Sequence, residues 1–465
     1  MNSILKHINR NKGIYATILL FFIIMLVMLY KYKIVWWDSA VYIGMGKYIF
    51  SHGKSGLWEE SRPLLLPFLL GIGWKLDFDV VLFGRVLSII FSILTIVTTY
   101  VIGTKLFSGR AGLIAALFTA FSFTFLFFSA NVLTEVASTL FVLLAFYSFL
   151  NHKYFLIGLF SGIAVMTRFF QVFTLIGLFL TFFAYNYKKP NFTKKLFYSI
   201  LGISLLILPY FLLNIYLYND ALLPFKVQAH LTKTTGWVHY KEFEFYFTGL
   251  FKENFILIFL LALPFYFKKN HKLFALISIT LTYILILSFV KHKEMRFMIA
   301  VLPFLYLLLA YCLEHVYTKI RNKVLSKRFF YVILAFFVLL TFIKLNDKLS
   351  YQQQDEELLY FQNFLKENDG KVWITNPLYA LYYDRKIDGL LYFYSSKNLI
   401  KFLEENKGNV DVVLYNSCDI ECPPKKLDYL CTRSRGVLND ELSTLKAIYK
   451  RDTGSCKYRI FKKII

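Results

Sequence analysis

Long apolar runs dominate the chain, and each has the length of a membrane crossing. A helix needs about 20 mostly apolar residues to cross the hydrocarbon core of a bilayer. The clearest runs lie at roughly 14–30, 80–102, 111–130, 132–150, 196–217, 249–267, 273–290, 297–317 and 329–345. This pattern predicts a polytopic α-helical membrane protein.

One further apolar stretch, 154–187, is too long for a single crossing and carries Arg168 near its centre. Loops rich in Lys and Arg tend to face the cytoplasm. All the short basic loops fall on one side only if this stretch crosses twice, as two short helices with Arg168 at their outer turn. The sequence therefore predicts about 11 crossings of the cell membrane. The N-terminus is then cytoplasmic and the C-terminus extracytoplasmic.

The first long polar interruption, at 31–79, follows directly after the first apolar run. Asp38 stands near its start, and the run Glu59-Glu60-Ser61-Arg62 comes about twenty residues later. Residues 39–50 and 64–75 place apolar side chains on one helical face, so both segments are predicted to be helices in the membrane interface. Asp38 and Arg62 would then lie at headgroup height. As an alternative, Asp38 caps a helix that begins at Ser39.

Other charged residues in or beside the apolar runs all fall near the predicted outer ends: Arg85, Glu135, Arg168, Glu253 and Lys291. Ionisable groups at membrane depth are costly, and they mark functional sites by default. Snorkelling towards the surface explains a long side chain such as Arg85. It explains Glu135 less well, although the helix dipole also favours a carboxylate in a first turn. The outer ends are therefore expected to form the walls of one polar site.

Two external segments add candidate ligand-binding groups. The turn at 291–297 carries Lys291, Lys293 and Arg296 on the side that normally lacks basic residues. A lipid phosphate is a natural counterion for them, and interfacial anchoring is the alternative. The loop at 218–247 holds His230 among basic and aromatic residues, a mixture that suits sugars and phosphates without being specific for them.

From about residue 349 the composition becomes that of a soluble domain. Helices are predicted at 355–368 and 396–406, strands at 371–375, 386–393 and 410–415, a helical turn at 377–384, and a hairpin of 445–450 with 457–463. Alternating strands and helices indicate a small C-terminal α/β domain at 349–465, which follows a transmembrane domain at 1–348.

Four of the five cysteines lie in this domain, at Cys418, Cys422, Cys431 and Cys456. In an extracytoplasmic domain an even number indicates two disulfides, with three connectivities open. A zinc site is the competing interpretation, although the spacing is not a paired CxxC. Cys312 lies within an apolar run and is expected to be packed there.

Composition and charge limit the function classes. The chain is 57% hydrophobic with a mean hydropathy of +0.53, more apolar than a soluble domain of this size requires. Its net charge of +24 is typical of nucleic-acid partners, but the basic residues form short clusters between apolar runs. There they orient the crossings and meet anionic headgroups, so membrane lipids are predicted as partners and nucleic acid is not.

Several segments, taken in order, resemble the GT-C glycosyltransferases. They are Asp38 with the following YIGMGKYI, the segment ESRPLLLP, Glu135 after a short turn, KHKEMRFMIAVLPFLYLLLA, and KVWITNPLYALYYDRKI at the start of the soluble domain. Together they are similar to dolichyl-phosphate-mannose–protein mannosyltransferase-like enzymes and their bacterial lipid-sugar relatives. The resemblance implies inverting transfer of a sugar from a polyprenyl- or dolichyl-phosphate donor to a lipid, glycan or protein acceptor at the outer membrane face.

The resemblance also assigns roles to residues. It makes Asp38 the general base, with Glu60 and Glu135 as further catalytic candidates; whether Glu59 or Glu60 is the second acid of the loop stays open. The candidate substrate-binding residues are Arg62, Arg168, Lys291, Lys293, Arg296 and His230. No cofactor is required, and although a divalent metal is compatible with this chemistry, no cluster of ligands indicates one.

Two departures and two rival functions accompany this interpretation. The WWDS around Asp38 is not the WWDYG of oligosaccharyltransferase catalytic subunits, and no long domain follows the seventh crossing, unlike eukaryotic protein O-mannosyltransferases. A transporter or lipid-linked sugar flippase is the alternative function. It would need polar groups near the bilayer midplane or a repeated half, and the sequence shows neither. A membrane scaffold with an external binding domain is also compatible with the sequence.

Overall fold

The apolar runs of the sequence form helices in the computed structural model, which describes residues 2–234, 240–266, 271–319, 323–350, 356–391, 396–420, 422 and 429–463. The chain divides into two compact units of three segments each. One unit comprises Met1–Ile34, Arg85–Leu222 and Lys241–Gln352. The other comprises Val35–Gly84, Leu223–Tyr240 and Gln353–Ile465. The first long loop thus belongs with the C-terminal residues, a grouping that the sequence did not predict.

Helices account for most of the described residues before residue 351. In chain order they are Asn2–Lys31, Trp37–Phe50, Leu65–Lys75, Val80–Leu106, Gly109–Phe121, Phe123–Phe128, Thr134–Leu150, Tyr154–Thr167, Gln171–Asn186, Phe192–Tyr218, Leu223–Thr234, Phe245–Glu253, Leu263–Tyr266, His271–Phe289, Leu302–Lys319 and Lys323–Ser350. Short 3₁₀ helices at Phe255–Ala262 and Met295–Ala300 interrupt the later part.

Four of the described helices are long and apolar enough to cross a membrane: Asn11–Lys31, Val80–Leu106, Phe192–Tyr218 and Lys272–Phe289. A fifth candidate is the pair Phe245–Glu253 and Phe255–Ala262, which bends by 108° at its break. Several other apolar helices, such as Thr134–Leu150, are shorter. The apolar helices support a membrane location, and the count of about 11 crossings stays a prediction.

The stretch 154–187 forms two helices, as predicted, Tyr154–Thr167 and Gln171–Asn186. The first ends because Arg168 adopts an extended backbone conformation, with φ −156° and ψ 118°. The first of these helices packs closely on Phe192–Tyr218. A Cβ on Gly158 would stand 1.9 Å from the carbonyl oxygen of Ser199, so glycine is required for this approach.

The sidedness of this helix pair can be tested directly. We expect reporter domains fused after Lys189 and after Arg328 to be cytoplasmic, and a reporter at the C-terminus to be extracytoplasmic, because two crossings within 154–187 return the basic loop at Lys188–Lys195 to the inside. Paired alkaline phosphatase and green fluorescent protein fusions measure this. An extracytoplasmic reporter at Lys189 would mean a single crossing, and the predicted outer site would be lost with it.

In the second unit, the first loop contributes two helices close to the predicted positions, Trp37–Phe50 and Leu65–Lys75. They pack tightly, since a Cβ on Gly46 would stand 2.6 Å from the carbonyl oxygen of Pro67. The sequence predicts an interfacial helix at 39–50 with Lys47 off its apolar face. The structure differs here, because every residue from Ser39 to Lys47 is buried in the protein.

The C-terminal part of the second unit contains a small sheet and helices and is called the α/β domain below. Its strands are β1 (Val372–Ile374), β2 (Gly389–Leu390), β3 (Val412–Asn416), β4 (Lys446–Thr453) and β5 (Cys456–Lys462). The sheet order is β2-β1-β3-β5-β4; β1 pairs in parallel with β2 and β3, and the hairpin β4–β5 joins β3 antiparallel.

The described helices of this domain are Glu356–Glu367, Ser396–Glu405 and Tyr429–Ser443, and a 3₁₀ turn lies at Pro377–Ala380. The sequence did not predict Tyr429–Ser443. The predicted strand 386–393 is shorter than expected, with residues 392 and 393 outside the described ranges. Residue 355, at the start of the first predicted helix, is outside them as well.

One hydrophobic core joins the first loop to the α/β domain. Val41, Met45 and Leu57 of the loop are at most 2% exposed and share a cluster with Phe361 and Val372. A second cluster contains Trp373, Val413 and Leu438, from strands β1 and β3 and the helix Tyr429–Ser443. Neighbouring residues of a strand point to opposite faces of the sheet. Val372 and Trp373 therefore contribute to different clusters.

The four cysteines of the α/β domain form two disulfides, Cys418–Cys456 and Cys422–Cys431. The structure thus selects one of the three connectivities left open by the sequence. Cys312 is a buried free thiol.

We expect the four paired cysteines to resist alkylation in the native protein and to react after reduction under denaturing conditions. Cys312 should be labelled only when the protein unfolds, because it is buried. Mass spectrometry of differentially alkylated peptides measures this. Native labelling of all four thiols, or one bound zinc per chain, would contradict the disulfide assignment.

Candidate functional site

Asp38 lies in the first turn of the helix Trp37–Phe50. The N-cap position is occupied by Trp36, whose side chain makes no capping hydrogen bond. The helix therefore begins earlier than the capping alternative requires. One carboxylate oxygen of Asp38 forms an ion pair with Arg62, at 2.9 Å from Nη2. The Asp38 side chain is 17% exposed.

Arg62 is held from several sides. Its Nε donates to Oε1 of Glu59 at 2.9 Å, and Ser61 Oγ donates to the same oxygen at 2.5 Å. Its guanidinium also lies over the ring of Tyr42, 5.6 Å from the centroid. Glu59 is 6% exposed, and a buried carboxylate that accepts two hydrogen bonds is a rigid anchor. The arrangement fixes the guanidinium that contacts Asp38.

Glu59 and Glu60, which the sequence could not separate, have different environments. Glu59 forms an ion pair with Arg62, whereas Glu60, the next residue in the chain, is half-buried. Burial raises the pKa of Glu60, and the neighbouring charge of Glu59 raises it further. Glu59 is thus the acid connected to Asp38 through Arg62. The candidate role of Glu60 stays a prediction.

The first unit contains a second charged cluster, centred on Glu135. Glu135 lies in the first turn of Thr134–Leu150 and is 2% exposed. Its Oε1 is 3.1 Å from Nη1 of Arg168 and 3.6 Å from Nε of Arg296. Arg168 reaches it from the junction between two helices, and Arg296 from the 3₁₀ helix Met295–Ala300. A carboxylate buried this deeply needs positive partners.

Further contacts order both guanidinium groups. Arg168 Nη1 also donates to Thr134 Oγ1 at 3.1 Å, and Arg296 Nε is 2.8 Å from Oε2 of Glu294. Both guanidinium groups lie over the ring of Phe297, 4.9 and 5.7 Å from its centroid. Cation–π contacts of this kind limit the orientations open to an arginine side chain. The cluster is therefore pre-ordered.

The remaining candidates from the sequence lie elsewhere. Lys293 donates from Nζ to the carbonyl oxygen of Lys241 at 2.8 Å, and burial lowers its pKa. Lys291 is exposed. His230 is exposed on the helix Leu223–Thr234 of the second unit. The structure thus joins Asp38 to Arg62, and Glu135 to Arg168 and Arg296.

Sequence reasoning missed Glu294 and His292. Glu294 is the second carboxylate on Arg296, and its Oε1 contacts His292 Nε2 at 2.8 Å. The alternating charges of Lys293-Glu294-Met295-Arg296 were the available signal, because an acid within a basic external turn offers local compensation. Within the described ranges, no group of three or more His, Cys, Asp or Glu residues is arranged to hold a metal ion.

Comparison with known proteins places this geometry in context. The family model described as dolichyl-phosphate-mannose-protein mannosyltransferase matches residues 61–216, about a third of the chain. A search of curated protein sequences found no match.

Several solved structures share the fold at low sequence identity. ArnT from Cupriavidus metallidurans, bound to undecaprenyl phosphate, has a TM-score of 0.67 at 10% identity, with 98% of each chain covered. The oligosaccharyltransferase AglB from Archaeoglobus fulgidus, in complex with an inhibitory peptide and a dolichol-phosphate, has a TM-score of 0.62 at 13% identity. That match covers 97% of this chain and 74% of AglB.

The mycobacterial arabinofuranosyltransferase AftD has a TM-score of 0.50 at 9% identity, covering 97% of this chain and 40% of AftD. The matched family and these structures are all glycosyltransferases, the enzyme class that the sequence predicts. The resemblance indicated by the sequence motifs is confirmed, and the chain has the GT-C glycosyltransferase fold.

Proposed function

We propose that this protein is an inverting glycosyltransferase that moves a sugar from a polyprenyl- or dolichyl-phosphate donor to an acceptor at the external membrane face. The undecaprenyl phosphate and dolichol-phosphate bound in ArnT and AglB support this donor class. The observation that carries the proposal is the Asp38–Arg62 pair, a partly exposed aspartate held by an anchored guanidinium. The acceptor is a lipid, a glycan or a protein.

Asp38 is proposed as the general base. A sugar linked to phosphate already has a good leaving group, so the donor needs little acid assistance. The acceptor hydroxyl or amine must lose a proton as its bond to the sugar forms, and a positioned carboxylate can accept it. Arg62 orients that carboxylate through the ion pair at Oδ1, and Glu59 orients Arg62. Glu60, whose pKa is raised, is a second candidate for proton transfer.

Arg168 and Arg296 are proposed to bind the lipid phosphate and to stabilise the charge that it gains on leaving. Each guanidinium carries a planar set of N–H donors that suits the oxygens of a phosphate. Glu135 and Glu294 already compensate both positive charges, so the cluster is stable before the donor binds. Glu135 then serves the reaction by holding the two arginines. Lys291, Lys293 and His230 are further proposed contacts to substrate.

A reconstitution experiment tests the function and separates it from the rival one. The protein is placed in liposomes with a radiolabelled mixture of polyprenyl-phosphate sugars and a membrane extract as the acceptor source. A transferase releases free polyprenyl phosphate and labels the acceptor. A flippase moves the labelled lipid between leaflets with the sugar–phosphate bond intact. Leaflet movement without release of the lipid phosphate would contradict the proposal.

A further inference from the structure

A buried lysine of the first loop donates hydrogen bonds to the α/β domain. Lys47, in the last turn of Trp37–Phe50, has a side chain that is only 3% exposed. Its Nζ donates to the carbonyl oxygens of Leu381 and Tyr383, at 3.1 and 3.3 Å, and to Oδ1 of Asp384 at 2.8 Å. Burial lowers the pKa of Lys47, while Asp384 raises it. Burying a lysine is costly, so a site that supplies three acceptors for it is a built feature.

The carboxylate of Asp384 also contacts the second helix of the first loop. Trp74 Nε1, near the end of Leu65–Lys75, donates to Asp384 Oδ1 at 3.1 Å. Asp38 is at the start of the first helix, and Arg62 lies just before the second. The far ends of both helices therefore meet on one oxygen, whereas their near ends carry Asp38 and Arg62.

Backbone contacts reinforce this connection. Gly56, between the two helices, accepts from Ile387 N at 2.8 Å and donates to the carbonyl oxygen of Arg385 at 2.9 Å. Its φ is +78°, and a Cβ there would stand 2.1 Å from the carbonyl oxygen of Gly44. The segment 381–387 of the α/β domain thus holds the loop at its middle and at both helix ends.

From these contacts we infer that Lys47 and Asp384 are positioning residues, through which the α/β domain sets the placement of Asp38 against Arg62. The nine residue steps from Asp38 to Lys47 span about 14 Å of helix. Because a helix of this length moves as a stiff rod, releasing the end at Lys47 shifts Asp38 at the other end. Misplacing a catalytic group by about 1 Å can reduce turnover by about a hundredfold. This inference rests on the proposed role of Asp38.

The first test uses the more exposed partner of the pair, because the Asp384 side chain is 65% exposed and that of Lys47 only 3%. Asp384→Ala is expected to lower kcat for sugar transfer about tenfold, with the affinity for undecaprenyl phosphate unchanged. The matched control is Asp369→Ala, which removes another exposed carboxylate of the same domain, paired with Arg385. It should keep full activity. Full activity of Asp384→Ala would overturn the inference.

A double-mutant cycle separates positioning from general support of the fold. Lys47→Met is expected to lower kcat about ten- to a hundredfold in the wild-type background. In the Asp38→Asn background it should cost less than twofold, since a misplaced base no longer matters once it is disabled. Equal losses in both backgrounds would overturn the inference. If Asp38→Asn alone keeps full activity, the proposed role of Asp38 as general base fails instead, so the two failures are distinguishable.

Discussion

Asp38→Asn is expected to lower sugar transfer at least about a hundredfold, the low end of what a general base contributes. Asparagine keeps the shape of the side chain and an oxygen for Arg62, so the loop should retain its structure. The change removes the proton acceptor together with the negative charge that pairs with Arg62. Proton acceptance contributes to the transition state rather than to donor binding. Steady-state kinetics should therefore show a fall in kcat, with the affinity for undecaprenyl phosphate unchanged.

Asp79→Asn provides a matched control for this change. Asp79 is an exposed aspartate of the unit that contains Asp38. It lies at the start of the helix Val80–Leu106 and accepts a hydrogen bond from Leu82 N at 2.7 Å. Its replacement should leave transfer near the wild-type rate. Near-wild-type transfer by Asp38→Asn would remove Asp38 as the base and leave Glu60 as the loop acid to test next.

Arg168→Ala and Arg296→Ala are each expected to weaken binding of undecaprenyl phosphate by about ten- to a hundredfold. A hydrogen bond to a charged group contributes about 1.5–3 kcal/mol, which corresponds to this range of affinity. Arg296→Lys should recover part of the loss, because lysine restores the charge but not the planar fork. Binding titrations of the purified protein in detergent measure the effect.

The loss must be distinguished from damage to the fold, since either change leaves Glu135 less compensated. Thermal unfolding of each variant provides that check. Arg110→Ala is the matched control, because Arg110 is an exposed guanidinium stacked 4.4 Å from the ring centroid of Tyr317. If both arginine variants fold and keep wild-type affinity, the phosphate site lies elsewhere and the two residues only stabilise Glu135.

Local pattern was sufficient for the parts of the fold that local forces determine. Apolar runs and the position of Arg168 predicted the two helices of 154–187, and the strand-like segments 445–450 and 457–463 predicted the hairpin β4–β5. The first loop was equally readable as two helices. The helix Tyr429–Ser443 was not predicted, because its sequence is too polar to show a strong apolar stripe and its ends carry no clear capping signal.

The contacts of the candidate site needed the folded chain. Sequence placed Glu135, Arg168 and Arg296 at predicted outer ends, but pairing depends on how helices distant in sequence pack. Glu59 and Glu60 are adjacent, and only burial and the reach of Arg62 separate them. From the sequence, Lys47 resembles a polar residue at the edge of an amphipathic helix. Its acceptors lie more than 330 residues away, so only the folded chain shows that it is buried.

The shared core of the first loop and the α/β domain also affects biosynthesis. Leu57 and Phe361 belong to one cluster, although about 300 residues separate them. At roughly 5–20 residues per second, a ribosome needs roughly 15–60 s to make the intervening chain. During that time the residues that bury Val41, Met45 and Leu57 in the folded protein have not been made. The membrane surface or a chaperone must shield these three side chains. The segment that carries Asp38 is thus made among the first and completed among the last.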